Sequence, residues 1–161
     1  MQHLKQLIST SKGIVITTHK SPDGDAIGSS LGLYHFLKQF NPNVTVVVPD
    51  AFPDFLNWMS LNNEIIYYDT ATEKAKELIS KSDIIFSLDY NALNRIGEMG
   101  EFISTTNSYK VVIDHHQNPQ PFADHYFVDT DCCSTAQLIY EFIESLGELD
   151  KMNKAIAECL Y

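Results

Sequence analysis

Short runs of Val and Ile alternate along the chain with segments whose apolar residues recur at helical spacing. The runs predict strands at residues 13–18, 44–48, 65–68, 84–88 and 110–113. Each run is almost continuously hydrophobic, which is typical of strands that are covered on both faces, as in a parallel sheet. The pattern therefore favours a sheet buried between two layers of helix.

The intervening segments predict the helices of these layers. One apolar stripe at i, i+4, i+7 and i+10 runs through Ile27, Leu31, Tyr34 and Leu37. Similar periodicity predicts helices at 72–80 and 135–146, and Ser134 with Gln137 forms a capping box at the start of the second. A further helix is predicted to begin within residues 150–161. Strand and helix alternate, so we predict an α/β fold, a mostly parallel open sheet with helices on both faces.

Composition and charge narrow the functional classes. The 161 residues are 44% hydrophobic, which suits one domain spanning residues 1–161. Eleven basic and twenty-one acidic residues give a net charge of −10, which argues against broad binding of long nucleic acids. The negative net charge does not exclude a short phosphate substrate held through metal ions, because bound cations make the local electrostatic potential positive.

Location is predicted from what the sequence lacks. It contains no apolar run long enough to span a bilayer and no segment resembling a signal peptide, so no membrane partner is expected. The three cysteines have no metal-finger or redox spacing and are interpreted as ordinary thiols. A cytoplasmic location is the resulting prediction.

Metal-ligating residue types collect after three of the predicted strands, at the edge where α/β sheets bind ligands. They are His19, Asp23 and Asp25 after the first, Asp89 after the fourth, and Asp114, His115 and His116 after the fifth. A mixed set of carboxylates and imidazoles suits Mn²⁺ and allows Mg²⁺, Co²⁺ or Zn²⁺. Five or more ligands exceed what one metal with open positions needs, so two ions roughly 3.5–4 Å apart fit better.

The first of these clusters has its own rationale. In Asp23-Gly24-Asp25 the glycine is expected to adopt a conformation that lets both carboxylates point inward. Ala26 is expected to begin the helix, with both carboxylates near its N-terminus. Taken alone, Asp-Gly-Asp is usually a turn, Asp89 a helix cap and His-His a surface pair. Three such coincidences at one sheet edge are a poorer explanation than one site.

Four segments resemble the DHH phosphoesterase family, which is named for the triplet found here as Asp114, His115 and His116. The first is residues 19–29, HKSPDGDAIGS; the others are Leu88-Asp89 with residues 94–97, residues 112–116, and Cys-Ser-Thr-Ala at 133–136. The resemblance extends from residue 13 to residue 161 in the family's order. It implies the N-terminal catalytic domain of that family.

The resemblance also implies residue roles. One metal would be bound by His19, Asp23 and Asp89, and the second by Asp25, Asp89 and His115, with Asp89 bridging. A water between the ions would attack phosphorus. His116 would contact phosphate or assist the leaving group, and Asp114 would orient an imidazole. Further phosphate contacts are assigned to Arg95, Ser134 and Thr135, although surface exposure would explain the first and helix capping the other two.

The first motif is most similar to the branch that degrades short oligoribonucleotides or removes a phosphate from 3′-phosphoadenosine 5′-phosphate (PAP). The expected substrate is therefore a short RNA or a phosphorylated nucleotide. Exopolyphosphatase, pyrophosphatase and cyclic dinucleotide phosphodiesterase remain alternatives, as does a metal- and nucleotide-binding module without turnover. A homodimer is left open.

The resemblance carries an expectation about length as well. Family members have a further metal-binding Asp and a C-terminal substrate-binding domain, and neither is present in this sequence. The chain is therefore expected to be the N-terminal part of a longer protein, weakly active or inactive alone.

Overall fold

A computed structural model describes residues 1–59 and 64–161. Its six strands are β1 (Ile14–Thr18), β2 (Val44–Val48), β3 (Ile66–Tyr67), β4 (Ile84–Leu88), β5 (Tyr109–Asp114) and β6 (His125–Val128). They form one sheet in the order β3-β2-β1-β4-β5-β6, and every neighbouring pair is parallel. The predicted open parallel sheet is confirmed.

The helices cover both faces of this sheet. They are α1 (Gln2–Thr10), α2 (Gly24–Leu37), α3 (Thr72–Lys81), α4 (Glu98–Ser104), α5 (Thr135–Ser145) and α6 (Lys154–Leu160). One core places Ile14 and Ile16 of β1 among the apolar side chains of α1, α2, α5 and α6. The other core places Val15, which points to the opposite face, against α3 and α4. Strand residues on both faces are therefore buried, which accounts for the continuous apolar runs.

Several boundaries differ from the prediction. β1 begins at residue 14, β3 covers only 66–67, and β5 extends from 109 to 114. The predicted helix start at Ala26 is wrong: α2 begins at Gly24, because Oδ1 of Asp23 accepts hydrogen bonds from the backbone N–H groups of Asp25 and Ala26, at 3.0 and 3.1 Å. Gly24 is helical, so the special glycine conformation expected there is not used.

Three elements were not predicted. α1 buries only Leu4 and Ile8, and α4 is a seven-residue helix, so neither has a long apolar stripe. β6 lies at the edge of the sheet and is half-buried, so its sequence lacks a continuous apolar run. Short 3-10 helices also occur at Asp54–Leu56, Leu93–Ile96 and Leu149–Lys151. Within residues 1–59 and 64–161, no helix is long and apolar enough to cross a membrane.

The strand order places a topological switch point between β1 and β4. From β1 the chain continues outward to β2 and β3, whereas from β4 it continues in the opposite direction to β5 and β6. Connections therefore diverge at the carboxyl ends of β1 and β4, which leaves a crevice where α/β proteins bind ligands. The His19 loop and Asp89 follow these two strands directly.

Candidate metal centre

His19 leaves β1 and turns its ring toward the crevice. Its Nδ1 lies 2.8 Å from the carbonyl oxygen of Lys20, so this nitrogen donates a hydrogen bond and Nε2 is the nitrogen directed at the cluster. Nε2 lies 3.5 Å from Oδ2 of Asp89 and 3.9 Å from Oδ1 of Asp23. The backbone carbonyl thus selects the ring nitrogen that is available as a ligand.

Asp89 is the centre of the cluster. It follows β4, is 2% exposed and has a φ of +63°, a left-handed conformation that is uncommon outside glycine. Its Oδ2 faces His19, and its Oδ1 lies 3.5 Å from Nε2 of His115. Such a conformation is held only when the surroundings determine it, and here it directs the two oxygens to different imidazoles.

The Asp-His-His triplet supplies the third part of the cluster. His115 places Nδ1 3.2 Å from the carbonyl oxygen of Cys132, and its Nε2 lies 3.7 Å from Oδ2 of Asp25. His116 donates from Nδ1 to Oδ1 of Asp114 at 2.7 Å. Asp114 is fully buried at the end of β5, and within the described part of the chain its Oδ2 has no hydrogen-bond partner. The structure therefore pairs Asp114 with His116 specifically.

The N-terminus of α5 completes the arrangement. The backbone N–H groups of Thr135 and Ala136 each donate to Asp25, both at 2.8 Å, and the hydroxyl of Thr135 donates to Oδ1 of Asp89 at 2.9 Å. The Ser134 hydroxyl accepts from the Gln137 N–H at 3.1 Å and caps α5 as predicted, whereas the Gln137 side chain donates to Glu141 at 2.9 Å. The resemblance assigns phosphate contacts to both residues. In the structure the Ser134 hydroxyl caps α5 and the Thr135 hydroxyl binds Asp89.

The remaining predicted residue, Arg95, lies on the exposed surface of the 3-10 helix that follows Asp89. Its carbonyl oxygen accepts a hydrogen bond from the Lys20 N–H at 2.9 Å. This bond joins the segment after β4 to the loop after β1. The backbone of Arg95 thus helps to hold together the two loops that border the crevice.

Negative charge is concentrated in this crevice. Hydrogen bonding to Asp89 raises the pKa of His19, against an opposing effect of burial. Burial, followed by repulsion from Asp89, raises the pKa of Asp25, although the two α5 amides oppose this shift. Asp89 contributes to both shifts, by favouring the protonated imidazole of His19 and by repelling the charge of Asp25.

Two overlapping groups have the composition and spacing to hold a metal ion. One consists of His19, Asp23 and Asp89, and the other of Asp89, His115 and His116; within each, the ligand atoms lie within 4.8 Å of one another. Asp89 belongs to both groups. The sequence prediction assigned Asp25 rather than His116 to the second ion, and Asp25 lies beside this group through its contact with His115. Carboxylate and imidazole donors fit Mn²⁺-type cations.

A parallel α/β sheet with two overlapping carboxylate and imidazole groups at its switch point is the arrangement of an α/β protein that could bind metal ions at this edge of the sheet. The family described as DHH family, N-terminal domain, matches residues 13–161. The chain therefore belongs to the DHH phosphoesterase family, whose members are metal-dependent hydrolases.

The relatives differ in what they act on. The bifunctional oligoribonuclease and PAP phosphatase NrnA of Thermus thermophilus is 30% identical over 148 residues, covering 91% of this chain and 41% of the relative. The cyclic-di-AMP phosphodiesterase PdeA of Listeria monocytogenes is 29% identical over 170 residues, covering 99% of this chain and 25% of the relative. The chain spans less than half of either protein.

A solved structure gives a tighter match. An exopolyphosphatase-related protein from Bacteroides fragilis superposes with a TM-score of 0.96 at 43% identity, over 99% of this chain and 47% of that one. The fold is thus that of the N-terminal DHH domain throughout.

Proposed function

We propose that this chain is the catalytic domain of a manganese-dependent phosphoesterase that hydrolyses short oligoribonucleotides, PAP, or both. The observation that carries the proposal is the position of Asp89, which presents one oxygen to His19 and the other to His115. A carboxylate shared in this way is suited to bridging two cations. The oligoribonuclease and PAP phosphatase activity named for the Thermus relative supports this substrate class.

In this proposal His19, Asp23 and Asp89 hold one ion, and Asp25, Asp89 and His115 hold the other. When bound, such ions neutralise phosphate charge and lower the pKa of a water, which makes it nucleophilic at neutral pH. Thr135 keeps both Asp25 and Asp89 in position through its amide and its hydroxyl. The site is thereby organised before substrate arrives.

His116 has the exposure needed to meet the substrate. Its side chain is 40% exposed, against 11% for His19 and 25% for His115. Asp114 accepts the Nδ1 proton, so Nε2 is the ring nitrogen left to contact a phosphate oxygen or to pass a proton to the leaving group. We assign the substrate-facing role to His116, a positioning role to Asp114, and peripheral phosphate contact to Arg95.

A second candidate activity is hydrolysis of a cyclic dinucleotide. It is favoured by the similarity to the Listeria phosphodiesterase, which covers 99% of this chain. The same metal centre would serve both reactions, since each cleaves a phosphate ester. The two candidates therefore differ in substrate and share their catalytic residues.

The proposal is tested by following phosphate release from PAP and mononucleotide release from a short RNA, with Mn²⁺ and then with chelator. Cyclic-di-AMP, polyphosphate and pyrophosphate are assayed in parallel. Manganese-dependent turnover of PAP or RNA supports the proposal, and turnover of cyclic-di-AMP alone supports the second candidate. Because the chain alone is expected to be weakly active or inactive, each assay is repeated on a protein extended past residue 161. Nucleotide binding by both proteins with no turnover of any substrate would instead support a binding module.

A further inference from the structure

Two large aromatic side chains stand out on the surface of the segment that follows β2. Phe55 is 73% exposed and Trp58 is 66% exposed. Among the described large hydrophobic residues only the terminal Tyr161 is more exposed. Two exposed aromatic rings in one short segment form a candidate binding surface.

The local backbone explains why these two rings point outward together. Hydrogen bonds from residue i+3 to residue i join Leu56 to Pro53, Asn57 to Asp54 and Met59 to Leu56, at 3.0–3.1 Å. In such a turn, side chains three positions apart lie on the same face. Leu56 and Met59, which are buried, occupy the inner face. Phe55 and Trp58 have the same spacing and occupy the outer face.

The segment that follows β2, residues 50–59, packs beside the candidate metal centre. The Ser21 N–H donates to Oδ1 of Asp50 at 2.6 Å, which ties the start of the segment to the loop after β1. Cδ2 of Leu56 lies 4.0 Å from the position that a Cβ on Gly24 would occupy. Gly24 separates Asp23 from Asp25, so the inner face of the turn packs directly beside two of the proposed ligands.

The charge of the segment restricts what the rings can bind. No Lys or Arg occurs between Lys38 and Lys74, whereas Asp50 and Asp54 lie in the segment. The segment itself therefore offers a phosphate no cation, and the neighbouring Lys20 lies beside Asp50. An uncharged planar ring suits two exposed aromatic side chains, because bases stack on aromatic groups without needing a charged partner.

We infer that Phe55 and Trp58 form a stacking surface for a nucleobase of the substrate whose phosphate lies at the metal centre. The inference rests on the proposed function, because it requires a nucleotide substrate. Stacking is available to every base, so this surface gives affinity for nucleotides with little preference among bases. It would also provide the affinity that an acidic chain cannot obtain from basic residues.

Trp58 is the only tryptophan in the chain, which makes the inference directly measurable. Its fluorescence is excited at the red edge of the absorption band, where tyrosine does not absorb, in the presence of Mn²⁺. AMP is titrated against ribose 5-phosphate, which carries the same phosphate and no base. We expect saturable quenching by AMP and none by ribose 5-phosphate. Equal behaviour of the two ligands would overturn the inference.

Substitutions separate stacking from other effects. Phe55→Ala and Trp58→Ala should each weaken AMP binding by about tenfold in calorimetry and raise the KM for PAP with little change in kcat. Trp58→Phe should retain the affinity, and Tyr140→Ala, which removes an exposed ring from α5, is the matched control. Unchanged AMP affinity in both alanine variants, or a change in oligomeric state instead, would assign the surface to a protein contact and overturn the inference.

The two proposals can fail separately. AMP binding is measured without turnover, so base-dependent quenching in this chain, with no hydrolysis of any phosphate ester by the chain or by a protein extended past residue 161, would refute the proposed function and leave the stacking surface supported. Turnover of PAP with the same KM in wild type and both alanine variants would refute the stacking surface alone.

Discussion

Thr135 donates its side-chain hydroxyl to Oδ1 of Asp89 at 2.9 Å, across the gap between α5 and the end of β4. Thr135 is fully buried, and its backbone N–H holds Asp25 at the same time. One residue thus positions two of the proposed metal ligands. A hydrogen bond to a ligating carboxylate fixes its orientation, and loss of such bonds commonly lowers metal affinity or activity.

Thr135→Val removes this hydroxyl while keeping the shape of the side chain. We expect Mn²⁺ affinity or kcat to fall by about 10- to 100-fold, because Asp89 loses the donor that orients it. Thr135→Ser retains the hydroxyl and should stay close to wild type. Calorimetric titration with Mn²⁺ and phosphate release from PAP measure the two quantities; a valine variant that matches the serine variant would contradict the role.

Asp89→Asn removes the charge from the residue shared by both candidate metal groups. The shape is nearly unchanged, so the fold should persist while the number of bound Mn²⁺ ions decreases and hydrolysis is abolished. Metal content by atomic absorption and turnover with Mn²⁺ test this expectation. Asp83→Asn is a suitable control, because Asp83 lies at the opposite end of β4 and bonds the Lys12 N–H. Full activity in Asp89→Asn would rule out the two-metal mechanism.

How far the sequence predicts this site depends on the kind of contact. His19, Asp89 and His115 follow strands that the apolar runs reveal, so parallel-sheet geometry alone brings them together. The bonds from α5 to Asp25 join residues 110 and 111 positions apart in sequence. No local pattern encodes such a pairing. The Ser-x-x-Gln pattern predicts where α5 begins. The contact of the Thr135 and Ala136 amides with Asp25 depends instead on how α5 packs against α2.

The same reasoning applies to the fold. Strands buried on both faces were found because their apolar runs are continuous, whereas the half-buried edge strand β6 carries no such signal. The predicted start of α2 is two residues late because Asp23 caps this helix, a role that its prediction as a metal ligand does not include. Phe55 lies in the 3-10 helix Asp54–Leu56 and Trp58 in the turn that follows it, and neither has the period of an α-helix or a strand.

Asp114→Asn should alter His116 rather than the metal ions. The fully buried carboxylate accepts the Nδ1 proton of His116 at 2.7 Å and so fixes which ring nitrogen faces the substrate. An amide can instead donate to Nδ1 and favour the other tautomer. We expect kcat to fall by about 10- to 100-fold with a changed pH profile and unchanged Mn²⁺ stoichiometry.

A double-mutant cycle checks this assignment. If Asp114 acts through His116, Asp114→Asn should have little further effect on kcat once His116→Ala is present. Additive losses would show that Asp114 acts on something else. Mn²⁺ stoichiometry measured in all four proteins distinguishes loss of tautomer control from loss of metal.

Metal binding should stabilise the protein more as the pH rises. The pKa of Asp25 is raised above 3.8 and that of His19 above 6.5. Each therefore contributes stability to the metal-free protein that is fully present below its ordinary pKa and is lost as the pH rises through its raised value. Cations require the deprotonated groups, so they replace the lost protons.

Thermal unfolding with chelator and with Mn²⁺, repeated from acid to neutral pH, measures this difference. We expect the Mn²⁺-induced increase in Tm to grow across the interval from pH 3.8 to above pH 6.5, where Asp25 and His19 give up their protons. His19→Gln should flatten the upper part of this increase. An increase in Tm that is independent of pH would show that protons and metal do not compete at these residues.

The close approach of α2 to α6 gives a prediction about stability. A Cβ on Gly28 would lie 2.5 Å from the backbone carbonyl oxygen of Cys159, whereas a Cβ on Gly32 would lie 2.5 Å from Cδ2 of Leu160. A backbone oxygen cannot move without displacing α6, but the end of a leucine side chain can rotate away. Gly28→Ala should therefore lower the free energy of unfolding by about 1–3 kcal/mol.

Gly32→Ala is the matched substitution on the same helix face, one turn away. Alanine favours helix by about 1 kcal/mol over glycine, so this variant should be near neutral. Urea unfolding of the two variants measures the difference. Because α2 begins beside Asp23 and Asp25, displacement of its axis in Gly28→Ala should also weaken Mn²⁺ binding. Equal stability of the two variants would show that α6 moves as readily as the Leu160 side chain.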